Sequence, residues 1–193
     1  MLSHTQPIAT QRTVSGIATG KLAVWWVIGS EIVIFGGLLA CYVMYRLLHE
    51  NWHLEAAHTN LIAGSINTFV LLSSSLSIVL AHKAAEEKKT AKAFKLIWFT
   101  IFGALCFLCI KSAEWTNEIA HGFVMTRSLF WGFYYTAAGI HALHVIAGAI
   151  IMAIISFDVR KGKQLHRVEL IGNYWHFVDI IWIFLFPLLY IAK

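Results

Sequence analysis

The sequence predicts an all-α membrane protein: a polytopic bundle of five transmembrane helices, with the N-terminus in the cytoplasm and the C-terminus outside. Three observations predict it. Of 193 residues, 59% are hydrophobic and 13% charged, and the mean hydropathy is +0.68, an apolar excess that a soluble domain of this length does not carry. Apolar runs of about 20 residues recur, the length that crosses a hydrocarbon core of about 30 Å. These runs are continuous rather than alternating, unlike the strands of a transmembrane β-barrel.

Residues 1–20 read as a polar N-terminal cytoplasmic segment. They lack the basic start and short apolar core of a cleavable signal, so the first span is expected to act as the insertion signal. Residues 21–193 read as a single membrane domain, because no linker or long polar stretch divides them. The first span covers about 22–46 and carries Glu31 near its middle. The second, about 61–82, carries Asn67 ahead of Leu71, Leu72 and the run Ser73, Ser74, Ser75. Residues 83–93 are rich in helix formers and predict a tight helical hairpin beyond the membrane. The third span, about 95–113, has a short apolar stretch over 96–110 that Lys111 and Glu114 close; such a stretch spans when flanking residues snorkel to the interface. The fourth and fifth spans cover about 131–156 and 172–192.

Charge sets the expected orientation. With five spans, the N-terminal side holds Arg12, Lys21, Lys83, Lys88, Lys89, Lys92, Lys95, Arg160, Lys161, Lys163 and Arg167, eleven basic residues; the other side holds four, Arg46, Lys111, Arg127 and Lys193. The positive-inside rule makes the first side cytoplasmic. Without the third span the split falls to ten against five. The net charge of +5 follows from those loops and from anionic lipid headgroups, and no nucleic-acid partner is implied.

The fourth and fifth spans carry ionisable residues in their middles, which are costly at membrane depth and mark function or packing. Ala137, His141, His144 and Gly148 fall at spacings of four, three and four, one stripe of a helix. Gly172, His176 and Asp179 form a second stripe, with His176 and Asp179 in the first two or three turns of the span. An acidic residue at a helix centre costs about 2.5–3.5 kcal/mol to insert. Glu31 meets that cost either by protonation, which burial favours, or by bonding to a partner such as a histidine on another helix.

These residues admit two readings, a metal site and hydrogen bonding between helices. HxxH, HxxD and a glutamate on three helices could supply ligands, but four-helix di-iron sites need a Glu-x-x-His on two helices, and no span contains one. Histidine is a common haem ligand, yet His141 and His144 share one face and nothing designates a pocket. Small residues on the same stripes let helices approach, so Asn67, His141, His144, His176 and Asp179 are read as interhelical hydrogen-bond candidates, and no metal, cofactor or catalytic residue is assigned. Cys41, Cys106 and Cys109 lie in apolar runs; a lone CxxC is half a zinc site, and all three are read as packing residues. Trp25, Trp26, Trp52, Trp115, Trp131 and Tyr190 lie near span ends, where aromatic belts form. No nucleophile elbow or phosphate loop is present.

In this order the residues resemble the subunit III family of the haem–copper oxidases, in its five-helix bacterial cytochrome c oxidase branch. The resemblance runs from about Lys21 to the C-terminus. It rests on Ser30-Glu31 in the first span, on Asn67 leading through the serine run to His82, and on Ala113-Glu114-Trp115. Gly139-Ile-His141-Ala-Leu-His144 with Gly148, and Tyr174-Trp175-His176-Phe-Val-Asp179 with Trp182, complete it. The resemblance implies a subunit without redox chemistry of its own in a respiratory oxidase of aerobic electron transport and proton pumping. That subunit contacts subunit I directly and belongs to a complex with subunit II. Haem and copper lie in those partner subunits, and this chain holds structural phospholipids. The resemblance further implies that it stabilises the catalytic subunit, that Glu31 matches a buried carboxylate tied to oxygen or proton access, and that the protein sits in the bacterial inner membrane. Members of seven spans carry two more at the N-terminus, which help form a lipid cleft. The alternatives are a quinol oxidase subunit, an accessory protein of a nitric oxide reductase and, from other classes, an independent membrane metalloenzyme or a transporter. A transporter would show an internal repeat or a broken helix pair, and none is visible.

Overall fold

A computed structural model describes residues 16, 18–49 and 52–191. The predicted polar segment 1–20 lies for the most part outside them, as does Lys193. The described chain forms α1 (Thr19–Leu48), α2 (Trp52–Ala56), α3 (Leu61–Glu86), α4 (Thr90–Ala120), α5 (Leu129–Arg160) and α6 (His166–Phe186), ending in a π-helical turn over Pro187–Ile191. Five helices are long and apolar enough to cross a membrane, and no strand occurs among the described residues.

Helices α3, α4, α5 and α6 close a ring in which sequence neighbours run antiparallel and α3 also packs on α6. Close approach is built from small residues. A Cβ on Gly103 of α4 would meet the Ser74 Cβ of α3 at 2.9 Å, and one on Gly148 of α5 would meet the Trp175 ring of α6 at 3.0 Å. Helix α1 lies outside this ring, against α6 and α5. It buries Ile28, Phe35 and Tyr42, one narrow seam at seven-residue spacing.

The connections follow local chemistry. Asn60 caps α3 by accepting from the Ala63 N–H at 3.1 Å, which satisfies one of the free amides of a helix start. The α3–α4 hairpin turns at Lys88 (φ 55°) and carries the Glu87–Lys89 pair at 2.7 Å; that ammonium holds the exposed Glu87 carboxyl below its ordinary range. The α5–α6 hairpin turns at Gly162 (φ 70°), a left-handed position that suits glycine. Pro187 brings no N–H to the helix ladder, and the helix widens there into the π turn.

The helices overrun the predicted spans, most at α4. Lys111 and Glu114 do not close it: the helix continues to Ala120, and both side chains are buried, Lys111 at 1% exposure. Lys111 therefore does not belong among the loop charges counted on the outer side. Helix α6 starts at His166 rather than 172, which puts His176 and Asp179 in its third and fourth turns. The aromatic belt is also corrected. Trp25 and Trp26 are exposed, whereas Trp52, Trp131 and Tyr190 are buried.

Candidate functional site

The polar residues of the bundle form three groups. The first joins α1 to α5. Glu31 Oε2 lies 3.1 Å from His144 Nε2, and Phe35 of α1 stands edge-on to the same imidazole at 5.5 Å. His144 Nδ1 lies 2.8 Å from the Ile140 carbonyl. That second contact orients the ring, with the Nε2 side turned to the carboxylate. Ser30 is not part of this group; its hydroxyl donates to the Val27 carbonyl of its own helix at 2.7 Å.

The second group joins α3 to α6 near mid-span. Ser75 Oγ lies 2.7 Å from His176 Nδ1, Trp175 Nε1 donates to Ser74 Oγ at 3.1 Å, and Trp182 Nε1 donates to Thr68 Oγ1 at 3.0 Å. Ser74 of the serine run and Thr68 earlier on the same helix thus provide acceptors for a helix whose indoles need partners when buried. Asp179 is buried beside these bonds with its carboxyl close to the Ser75 hydroxyl, while both polar atoms of Asn67 and both ring nitrogens of His141 have no hydrogen-bond partner. His141 packs instead against the Phe107 ring at 5.4 Å and the Trp182 ring at 5.2 Å. The two histidines that share a stripe in the sequence therefore face different neighbours, His144 towards α1 and His141 towards α4 and α6.

The third group went unseen in the sequence. Lys111, Glu114 and Glu118 lie on one face of α4 and meet Tyr134 of α5 and Tyr190 of the π turn. Lys111 Nζ donates to Glu114 Oε2 at 3.1 Å, to Tyr134 Oη at 2.7 Å and to Tyr190 Oη. Tyr134 Oη lies 3.0 Å from Glu114 Oε1 and 3.0 Å from Glu118 Oε1, and Tyr190 Oη donates to Glu114 Oε2 at 3.1 Å. The ammonium also sits 4.3 Å from the centre of the Tyr134 ring, a favourable cation–π distance. The sequence signal was the three, four spacing of Lys111, Glu114 and Glu118, which places all three on one face of a continuing helix.

The remaining motif positions are peripheral. His82 approaches Glu86 at 3.5 Å on the same helix, and a Cβ on Gly139 would meet the Trp115 ring at 3.9 Å, an ordinary contact. Cys41 and Cys109 are exposed and Cys106 is half-buried. No group of three His, Cys, Asp or Glu side chains that could hold a metal occurs among the described residues.

One family matches nearly the whole chain. The family model for cytochrome c oxidase subunit III matches residues 10–193. The chain belongs to the cytochrome c oxidase subunit III family. It is 36% identical over 167 residues to cytochrome c oxidase subunit 3 of Thermostichus vulcanus, covering 84% of this chain and 82% of that one. It is 29% identical over 173 residues to the protein of the same name from Corynebacterium diphtheriae, at 86% and 84% coverage. A heme-copper oxidase subunit I+III of Aeropyrum pernix is 28% identical over 183 residues, which are 89% of this chain and 22% of that larger one. Subunit III chains are parts of an oxidoreductase complex, and the five long apolar helices make this member a multi-pass membrane protein.

Proposed function

We propose that this chain is the companion of the haem- and copper-bearing subunit I in a respiratory terminal oxidase of a bacterial inner membrane, with no redox centre of its own. The observation that carries this reading is the Aeropyrum pernix relative, whose name joins subunits I and III in one chain. A covalent link keeps two partners at high effective concentration, and evolution of such a link favours chains that already assemble. Subunit II completes the complex. The role within it is to stabilise subunit I, and the partly buried Glu31–His144 pair is the polar contact we assign to oxygen or proton access. The charge distribution supports an N-terminus in the cytoplasm, because Lys83, Lys88, Lys89, Lys92, Arg160 and Lys161 gather at the end that carries the α3–α4 and α5–α6 hairpins.

Lipid binding rests on the gap that α1 leaves. A cavity of about 540 Å³ opens between α1, α5 and α6, walled by Val24, Val27, Ile151, Ile154 and Leu170, and lined also by Arg167, whose guanidinium lies 3.6 Å from the half-exposed Asp158 carboxylate. An apolar trough of that size takes an acyl chain, and a guanidinium at its rim pairs with a phosphate. A second apolar trough of about 500 Å³ lies on the other flank of α1, between Ile32, Gly36, Phe177 and Phe184.

The test is purification of the tagged chain from gently solubilised membranes. Haem absorbance should follow the tag at fixed stoichiometry with a subunit I chain; isolation of the chain free of any haem-bearing subunit overturns the reading. Phosphorus assay of the same complex tests the lipid part: Arg167→Ala should lower tightly held phospholipid by about one molecule per chain, the count expected for one headgroup contact.

A further inference from the structure

The cluster at Lys111 has more contacts than hydrogens if both of its carboxyl groups are ionised. An ammonium supplies three hydrogens and each phenol one. The three on Lys111 are taken by Glu114 Oε2, Tyr134 Oη and Tyr190 Oη. The one on Tyr190 serves Glu114 Oε2 at 3.1 Å. Only the Tyr134 hydrogen is left, and two carboxyl oxygens, Glu114 Oε1 and Glu118 Oε1, each stand 3.0 Å from that hydroxyl. One of these contacts would set a phenol oxygen against a carboxylate oxygen with nothing between them. The cluster would also hold two negative charges against one positive charge in buried surroundings, where an uncompensated charge is costly. A neutral lysine worsens both defects, since it removes a hydrogen and the only cation.

We propose that this cluster is a built proton-binding site, in which Glu118 is held as a neutral carboxylic acid that donates to Tyr134 while Glu114 alone is the counter-ion of Lys111. One added proton supplies the hydrogen missing between Tyr134 and Glu118, and the one contact then left without a hydrogen is the longest, 3.3 Å between the neutral Tyr134 and Tyr190 hydroxyls. Tyr134 then accepts from Lys111 and Glu118 and donates to Glu114 Oε1, and the charges sum to zero. The proton belongs on Glu118 rather than Glu114 because Glu114 receives Lys111, Tyr190 and Tyr134, whereas Glu118 touches Tyr134 alone among these hydroxyl and ammonium groups. Its second oxygen is buried without a partner, which costs less for the carbonyl of an acid than for half of a carboxylate. Other titratable groups near the cluster are Tyr135, whose hydroxyl stands within reach of the Glu118 carboxyl but donates its hydrogen to the Phe123 carbonyl at 2.8 Å, and His141 further along α5; neither supplies a second cation to the cluster in this arrangement.

The experiment is infrared spectroscopy of the purified full chain, in the complex in which it isolates, comparing wild type with Glu118→Gln at neutral pH. Wild type should show a protonated-carboxyl C=O band that moves down in D2O, and Glu118→Gln should lose an intensity equal to one carboxyl per chain. The variant should assemble with wild-type yield and melting temperature, because an amide keeps the charge and the donor. Glu114→Gln should instead lower the yield several-fold, as it removes the only counter-ion. An unchanged carboxyl band in Glu118→Gln overturns the proposal. Failure of Glu118→Gln to assemble overturns it too, as does a Glu114→Gln complex as heat-stable as wild type.

Discussion

Helix α1 and the ring formed by α3 to α6 use the same apolar alphabet for different ends. Only 17% of the most apolar window of α1 is buried, against 50% for α6 with its π turn. The ring holds itself by close backbone approach at Gly103 and Gly148 and by buried polar bonds on nearly every level. Helix α1 holds on by one seam and by polar contacts spread along its length, among them Lys21–Glu169 at 2.6 Å, Glu31–His144 at 3.1 Å, and Tyr42 Oη donating to the Leu188 carbonyl at 2.6 Å. In lipid, apolar side chains gain little by leaving one hydrocarbon surface for another, so packing and polar bonds decide association. A helix with few of either is the one whose position is easiest to change, and the one with most surface to offer lipid or another chain.

The comparison breaks first at Lys111. Lys111→Met should cost about 3–5 kcal/mol, the range for stranding the partners of a buried ion pair, and should lower the melting temperature of the ring with little folded subunit recovered. A variant that melts like wild type would mean that the cluster does not tie α4, α5 and the π turn together. Gly103→Val comes next. Its added Cβ meets Ser74 at 2.9 Å, and overpacking of that kind costs about 1–3 kcal/mol. It should weaken the α3–α4 contact alone, read as faster hydrogen exchange across those two helices.

How much of this was legible depends on the kind of signal. Span number, hairpin order and the close packing at Gly148 follow from run length and from small residues on a stripe. Glu31 and His144 were legible as polar residues needing partners, although only the structure pairs them with each other. The Lys111 cluster was hidden because a lysine and a glutamate after a short apolar stretch read as the end of a span. Their partners, Tyr134 and Tyr190, lie 23 and 79 residues away, and local hydropathy carries no trace of a distant phenol. The belt reading of Trp52, Trp131 and Tyr190 failed for a related reason. Trp52 donates to Tyr42 Oη at 3.2 Å and Trp131 to Glu55 Oε2 at 2.7 Å, so their N–H groups find protein rather than headgroups.

The contacts of α1 sharpen the comparison from the other side, and they should matter less to folding than those of the ring. Glu31 and His144 are each partly accessible, with side chains 15% and 20% exposed, so breaking the pair strands less charge than breaking the Lys111 cluster. Glu31→Ala should leave assembly intact and raise the rate at which activity is lost over successive turnovers; decay equal to wild type would separate the pair from durability. His144→Leu should speed hydrogen exchange in α1 more than in α5, because the ring still holds α5. Lys21→Ala should do least. Its partner Glu169 and the lysine itself are 33% and 48% exposed, and exposed pairs are worth about 0–1 kcal/mol. High salt should erase the difference between Lys21→Ala and wild type in α1 exchange, because screening at 1 M reaches about 3 Å. The Glu31 effect should survive the same salt, since partly buried pairs are screened much less. If salt abolishes both, α1 is held at each of these positions by surface charge alone, and its distinction from the ring becomes one of seam packing rather than of buried polar bonds.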